Sequence, residues 1–293
     1  MGRHSHLSKH LPDIQTTKDT RKVAIQKVGV SGIRIPIQIF EKPTRRAKLQ
    51  LDKQQRTIGT VSMHVFLPQE KKGTHMSRFT ELLNRHTENQ KTFSASDLIP
   101  LTVEMLSELE TTEAFLEVEL DYFREVLSPK SKIRGVAPYI GRLMVRAAQA
   151  AGAAMPTVEV WTGIEMVGQT CCPCSKEISD YSHRSKKGRG AHSQHGHVDI
   201  LVKNDPAHII WFEDLIDIGN DSVSHAAYPI LKRVDERHAT IGAYTNPKFV
   251  EDVLRDAAVQ LRLMPHIYRF KVKVTNDEVI HFHKASGEIE EAV

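Results

Sequence analysis

The sequence predicts an α+β fold made of two similar modules in tandem, each running β-β-α-α-β-β with antiparallel sheets and paired helices. Three observations carry this expectation. Stretches of period-two apolar alternation come in pairs, apolar stripes of helical spacing fall between the pairs, and the whole order recurs after residue 150. No glycine-rich phosphate loop of the Rossmann or Walker kind interrupts the pattern. The expected organisation is a flexible N-terminal arm at 1–20, a first module at 21–150 and a second module at 151–293.

Residues 1–20 are rich in His, Lys, Thr and Ser without periodicity, which is why they read as a mobile arm. A short apolar strand over Val28–Phe40 comes next. A clearer one covers Thr57–Leu67, where Val61, Met63, Val65 and Leu67 alternate with Ser62, His64 and Phe66. The spacing then predicts a helix over Ser77–Arg85, with Phe79, Leu82 and Leu83 on one side. A second helix over Ser96–Glu110 can be capped by Ser96 or Asp97 and carries Leu101, Met105, Leu106 and Leu109. Strands resume at Ala114–Tyr122, where Ala114, Leu116, Val118, Leu120 and Tyr122 alternate with polar or exposed-type neighbours, and at Ile133–Val145. The second module repeats the order with strands at Thr157–Val167 and His195–Lys203, helices at Ile210–Ile218 and Pro247–Met264, and strands at Ile267–Thr275 and Val279–His283. Asn246 can cap the long helix, Pro247 suits its first turn, and Val250, Val253, Leu254, Ala257 and Leu261 form its apolar stripe.

With 293 residues and 40% hydrophobic content the chain can bury a substantial core. Forty Lys and Arg against 36 Asp and Glu leave a net charge of +4, too mild and too evenly spread to indicate nucleic acid, although a small polyanion suits it. No run approaches the roughly 18 to 20 apolar residues of a membrane span, and Met1–Leu11 lacks a signal peptide's apolar stretch. A cytoplasmic protein with no membrane partner is expected. All three cysteines, Cys171, Cys172 and Cys174, fall within four positions, so no disulfide framework staples distant segments.

That cysteine cluster ends a predicted strand and is followed, past a polar loop, by Gly190-Ala191-His192-Ser193-Gln194-His195-Gly196-His197. Thiolate and neutral imidazole are good ligands for zinc or another late first-row metal, and a carboxylate can supply a third. Three protein ligands with one open position make a catalytic site; a closed structural zinc site and an inert thiol cluster are the plainer alternatives. Structural sites commonly separate paired cysteines by about two to four residues. Cys172 and Cys174 have only Pro173 between them. If the segment is extended, both thiols share a face. Alternation likewise places His195, His197 and Asp199 on one face of their strand, and His281 and His283 on one face of theirs, where solvent exposure alone would account for them. Glu236 and Glu251 occupy positions at which carboxylates are usually just solvated. Lys71, Lys72, His75, Ser77 and Arg78 gather basic and polar groups at a helix start, an arrangement that suits phosphate as well as a solvated loop.

Taken together, these pieces resemble the type IB GTP cyclohydrolase I family. The matching segments are Lys72-Gly73-Thr74-His75-Met76-Ser77-Arg78-Phe79, Cys172-Pro173-Cys174-Ser175-Lys176-Glu177-Ile178-Ser179, Ala191-His192-Ser193-Gln194, Trp211-Phe212-Glu213-Asp214-Leu215, Leu231-Lys232-Arg233 with Asp235-Glu236, and Asn246-Pro247-Lys248-Phe249-Val250-Glu251-Asp252. They run in family order over roughly residues 55 to 285. The chain departs from the family at Ile241, where Glu is usual, at His195, where Arg is usual, and at Arg184–Arg189, which resembles an insertion.

The resemblance implies a bimodular tunnelling fold, a homotetramer with active sites at subunit interfaces, and one divalent metal per site, whether zinc, manganese or iron. It further implies that Cys172, His192 and Glu236 hold the metal, that Glu251 anchors the guanine edge and that His281 transfers protons, with Cys172 and His192 counted in the catalytic set. Lys72, Arg78, Lys232 and Arg233 are candidates for the triphosphate. The implied reaction hydrolyses GTP at C8, releases formate and yields 7,8-dihydroneopterin triphosphate at the head of folate and pterin synthesis. The rival readings are an archaeal-type GTP cyclohydrolase giving a cyclic phosphate, a deazapurine nitrile reductase using a cysteine nucleophile and NADPH, and a non-catalytic zinc-binding module.

Overall fold

A computed structural model describes residues 13–15, 17–43, 54–89, 95–181 and 190–293. Residues 1–12 and 16 of the expected arm, and the 184–189 insertion, lie outside the described residues. Within the arm, the stretch 17–19 pairs with 70–72: Asp19 N–H donates to the Glu70 carbonyl, and Lys72 N–H donates to the Thr17 carbonyl.

The chain forms an α+β structure in which β1 (Ile25–Phe40), β2 (Gln54–Leu67), β3 (Glu113–Leu127), β4 (Arg134–Ala148), β5 (Thr157–Cys171), β6 (Ser193–Asn204), β8 (Ile267–Asn276) and β9 (Ala285–Ala292) make one antiparallel sheet in chain order. The two-residue β7 (His225–Ala226) adds to β5. Between β2 and β3 lie α1 (Met76–Asn89) and α2 (Ala95–Glu108); between β6 and β8 lie α4 (Phe212–Ser222), α5 (Arg233–Thr245) and α6 (Val250–Arg262). The short α3 (Pro173–Tyr181) links β5 to β6.

Alternation decides which face of each strand is covered. Val61, Met63 and Val65 of β2, Leu116 and Val118 of β3 and Val198, Ile200 and Val202 of β6 are all buried in one core with Phe79 and Leu82 of α1 and Val253, Ala257 and Leu261 of α6. Burying each such side chain stabilises the fold by roughly 1.5–3 kcal/mol. The opposite face of the sheet is charged: Arg142 on β4 pairs with Asp199 of β6 at 2.7 Å and with Glu165 of β5 at 2.9 Å.

Three expectations are corrected. Val279–His283 is not a strand; it belongs to the loop joining β8 to β9, whose ladder begins at the Asn276 and Ala285 pair. Four or five alternating residues cannot form a strand without a partner edge, and here the edge of β8 is taken by β9. The second correction is α3, which shows no buried residue and therefore offers no apolar stripe to read. The third is α5, which buries only Asp235, Ala239 and Ala243, too thin and too polar a stripe to announce a helix.

Antiparallel order gives the sheet two distinct ends. The C-terminus of β2, the N-terminus of β5 and the C-terminus of β6 share one end; the C-terminus of β5, the N-terminus of β6 and the C-terminus of β8 share the other.

Candidate functional site

Register brings the thiol and the imidazole together. The β5–β6 ladder ends with Cys171 opposite Ser193, so Cys172 and His192 leave the sheet side by side, and Cys172 N–H donates to the His192 carbonyl at 3.1 Å. Pro173 then begins α3, as its fixed φ and missing N–H favour. The Ser175 N–H in the first turn of that helix lies 3.5 Å from Cys172 Sγ and donates to it, an arrangement that suits a sulfur carrying negative charge. Ser175 Oγ in turn accepts from His192 N–H at 3.3 Å.

Helix formation separates the three cysteines. Cys171 is buried among core residues, where burial pushes its thiol up despite a hydrogen bond from Ser193. Cys174 is exposed on α3, and because α3 is helical rather than extended, residues two apart no longer share a face. Cys172, half-buried beside His192, is the thiol left at the site.

Behind His192 stands a polar support. Its Nδ1 lies 2.9 Å from Gln194 Oε1 and 3.8 Å from Glu278 Oε2. Gln194 is buried, and its Nε2 donates to Thr170 Oγ1 at 3.2 Å and to Glu278 Oε1 at 3.5 Å. An amide oxygen at Nδ1 assigns the imidazole proton to that nitrogen and leaves the Nε2 lone pair outward, the usual support for a metal-ligating histidine.

The remaining family positions arrive on neighbouring elements. Lys248 N–H donates to the Cys171 carbonyl at 3.0 Å, which ties the start of α6, and with it the exposed Glu251, to the cysteine segment. A cavity of about 530 Å³ opens alongside, lined among others by Gln169, Ser193, Gln194, Tyr228, Leu231 and Ala239. Glu236 is exposed one helical turn before Ala239 on α5, and Lys232 and Arg233 start that helix next to Leu231. Buried Asp235 fixes this helix end: it accepts from Lys130 N–H and Ser131 N–H, both at 2.8 Å, from Ser131 Oγ at 2.6 Å and from Lys232 N–H at 2.9 Å. Burial alone would raise its carboxyl pKa, but the hydrogen bonds from Ser131, Lys232 and Lys130 prevail and hold it well below the usual carboxylate range.

His281 lies in the β8–β9 loop, exposed, with its N–H donating to the Glu278 carbonyl at 3.3 Å and its ring stacked on His283 at 4.8 Å. Asp277 anchors the loop through His197 Nε2 at 2.9 Å and Lys284 Nζ at 2.8 Å. Lys284 first and His197 second hold its carboxyl pKa down at about 2.

Two placements differ from what motif order suggests. Lys72 and Arg78 follow β2 at the far end of the sheet, separated from Cys172 by roughly 45 Å of strand. There Arg78 Nη1 donates to the Glu108 carbonyl at 3.0 Å. Among the described residues, moreover, the group of three His, Cys, Asp or Glu ligand atoms within 4.8 Å of one another is Asp205, His208 and His266; Cys172, His192 and Glu236 do not form one. Reading the sequence missed the supporting roles of Thr170, Gln194 and Glu278. Gln194 had a local signal, since it lies two residues past His192 where a strand begins, whereas Glu278 is 86 positions from His192 and only the β6–β8 ladder brings it close.

Similarity to known proteins extends over most of the chain. A family model described as type I GTP cyclohydrolase FolE2 matches residues 11–287. GTP cyclohydrolase FolE2 of Geobacter sulfurreducens is 37% identical over 281 residues, covering 96% of this chain and 98% of its own. The protein of the same name from Desulfosudis oleivorans is 38% identical, covering 95% and 97%, and that of Thermosipho melanesiensis 35% identical, covering 94% and 96%. Among solved structures, urate oxidase from Bacillus sp. TB-90 superposes with a TM-score of 0.54 at 9% identity over 92% of this chain and 99% of its own. A uricase from Bacillus fastidious gives 0.54 at 10% identity over 92% and 93%. At such identities the likeness concerns the fold alone.

Proposed function

The chain belongs to the FolE2 family of type I GTP cyclohydrolases, and on that premise we propose that it works in the type IB manner, with Cys172, His192 and Glu236 holding one divalent metal. It is a hydrolase that acts on GTP, giving 7,8-dihydroneopterin triphosphate and formate. The observation that carries the metal reading is the His192 imidazole, backed at Nδ1 by the buried Gln194 amide and set beside a thiol that accepts a helix N–H. Soft sulfur, borderline nitrogen and hard oxygen together fit zinc, manganese or iron. Glu236 supplies the carboxylate from the first turn of α5.

Such an ion, when bound, lowers the pKa of a coordinated water toward neutrality, which is what hydrolysis at C8 of a stable purine needs. Glu251, at the first turn of α6, accepts from the guanine amino and ring N–H groups in a charge-assisted pair and fixes the base. His281 carries a proton to the departing purine nitrogen as the imidazole ring opens. Lys232 and Arg233 at the start of α5 take part of the triphosphate charge, and the dipole of that helix adds to their pull.

Lys72 and Arg78 serve a site in another copy of the chain, because the length of the sheet keeps them from the one in their own. This separation supports a homotetramer with active sites between subunits. The recurrence of two long strands, intervening helices and two more strands, with extra helices in the second half, supports a bimodular tunnelling fold divided near residue 150, with the metal in the 151–293 module. No described helix is long and apolar enough to cross a membrane, and the chemistry suits a cytoplasmic enzyme fed with GTP.

The test is formate release from GTP by the purified full-length protein before chelation, after chelation and after return of zinc or manganese. We expect loss on chelation and recovery with metal, with no requirement for a nicotinamide. Full turnover in protein shown to be metal-free would overturn the metal reading.

A further inference from the structure

At the end of the sheet remote from Cys172, Asp205, His208 and His266 bring a carboxylate oxygen and two imidazole nitrogens within 4.8 Å of one another. We propose that these three side chains form a second, peripheral site for a late first-row divalent cation of the zinc, nickel or copper class.

The backbone beneath these ligands is fixed from both sides. Asn204, buried as the last residue of β6, spends its Nδ2 on the carbonyls of Asp205 and His208, each at 3.0 Å, while its Oδ1 accepts from Thr162 Oγ1 at 3.3 Å. The Asp205–His208 turn is thus wrapped round a buried amide, and Pro206 removes one of its torsional freedoms. His266, just before β8, is joined to the turn by Asp205 N–H donating to its carbonyl at 2.9 Å. Its φ of 64° is a left-handed conformation that His adopts more readily than most side chains, and it sets the ring against His208.

The side chains are already oriented. Asp205 Oδ1 accepts from Ala207 N–H at 2.9 Å and Oδ2 lies 3.0 Å from His208 Nδ1, so a cation shared by Oδ2 and Nδ1 would take the place of the proton between them. The His208 and His266 rings stack at 3.5 Å with 6° between their planes, which brings the two imidazoles to one place. Metal–nitrogen bonds of about 2.0–2.1 Å put tetrahedral ligand atoms roughly 3.3 Å apart, so small side-chain rotations close the set. Two imidazoles select against calcium and magnesium, which take oxygen ligands. Because its ligands come from the end of β6 and the start of β8, a bound ion would clip those strand ends together and raise stability with no part in turnover.

The experiment titrates zinc into full-length protein and into His208→Gln and His266→Asn variants, the second chosen because Asn tolerates the left-handed backbone. Stoichiometry, affinity and the zinc-dependent rise in Tm are read. We expect each variant to bind one equivalent fewer, or that equivalent at least tenfold more weakly, to lose most of the zinc-dependent rise in Tm, and to keep its formate release from GTP. His4, His6 and His10 are present in all three proteins and cancel in the difference. Zinc binding unchanged in either variant, or lost turnover in a variant that remains folded, would refute the peripheral three-ligand site.

Discussion

Asp235 is the residue whose loss should reveal how the two halves of the chain hold the candidate site. It is fully buried and accepts four hydrogen bonds, three from the β3–β4 turn and one from Lys232 at the start of α5. Asp235→Ala removes both acceptor oxygens, and with them all four hydrogen bonds, and leaves the Lys130 and Ser131 N–H groups facing a void. Asp235→Asn keeps the shape but turns an amide N–H₂ toward a donor. Loss of a charge-assisted network of this size belongs to the upper range for single substitutions, and in a chain of this length it lowers Tm by roughly 6–10 °C for Ala. The pH dependence has a definite sign. The folded carboxyl titrates below its unfolded value of 3.8, so its contribution is complete above that value and fades as pH falls through and below it. Thermal melts of wild type, Asn and Ala proteins between pH 3 and 7 should therefore show a gap that is constant above about pH 5 and narrows in acid. GTP turnover at 25 °C should also fall in both variants, because the helix end they release carries Lys232, Arg233 and Glu236. An Ala variant that melts within 2 °C of wild type at pH 7 would refute the reasoning, since buried orphan donors cannot be that cheap.

Three further outcomes are expected. Cys172→Ala should lose bound metal and formate release together while Cys174→Ala keeps both, as read by elemental analysis beside activity; the reverse pattern would place the ligand on α3. Glu251→Gln should abolish or greatly weaken GTP turnover with metal content retained, whereas metal loss in that variant would mean that the two glutamates exchange roles. Gln194→Leu removes the acceptor at His192 Nδ1 and should weaken metal affinity roughly 10- to 100-fold, measured by competition with a chelator; unchanged affinity would show that Gln194 does not orient the ring.

What the sequence alone determined is what local physics controls. The alternation of Val61, Met63 and Val65 or of Val198, Ile200 and Val202 fixes which face of a strand is covered, because side chains on a strand alternate whatever the neighbours are. The α6 stripe is legible for the same reason at helical period, and the cysteine and histidine segments were identifiable because a few residue types carry metal chemistry. Val279–His283 shows the limit of that reasoning: it alternates, yet becomes a loop because β9 takes the edge of β8. The family resemblance already pointed to Cys172, but only the tertiary structure shows why it alone of the three cysteines stands beside His192, since that depends on Pro173 starting a helix and Cys171 entering the core. It also decided that Glu278 stands behind His192, and that Lys72 and Arg78 lie at the far end of the sheet. These are consequences of strand order and register, and register is set by pairings between segments that no local pattern specifies.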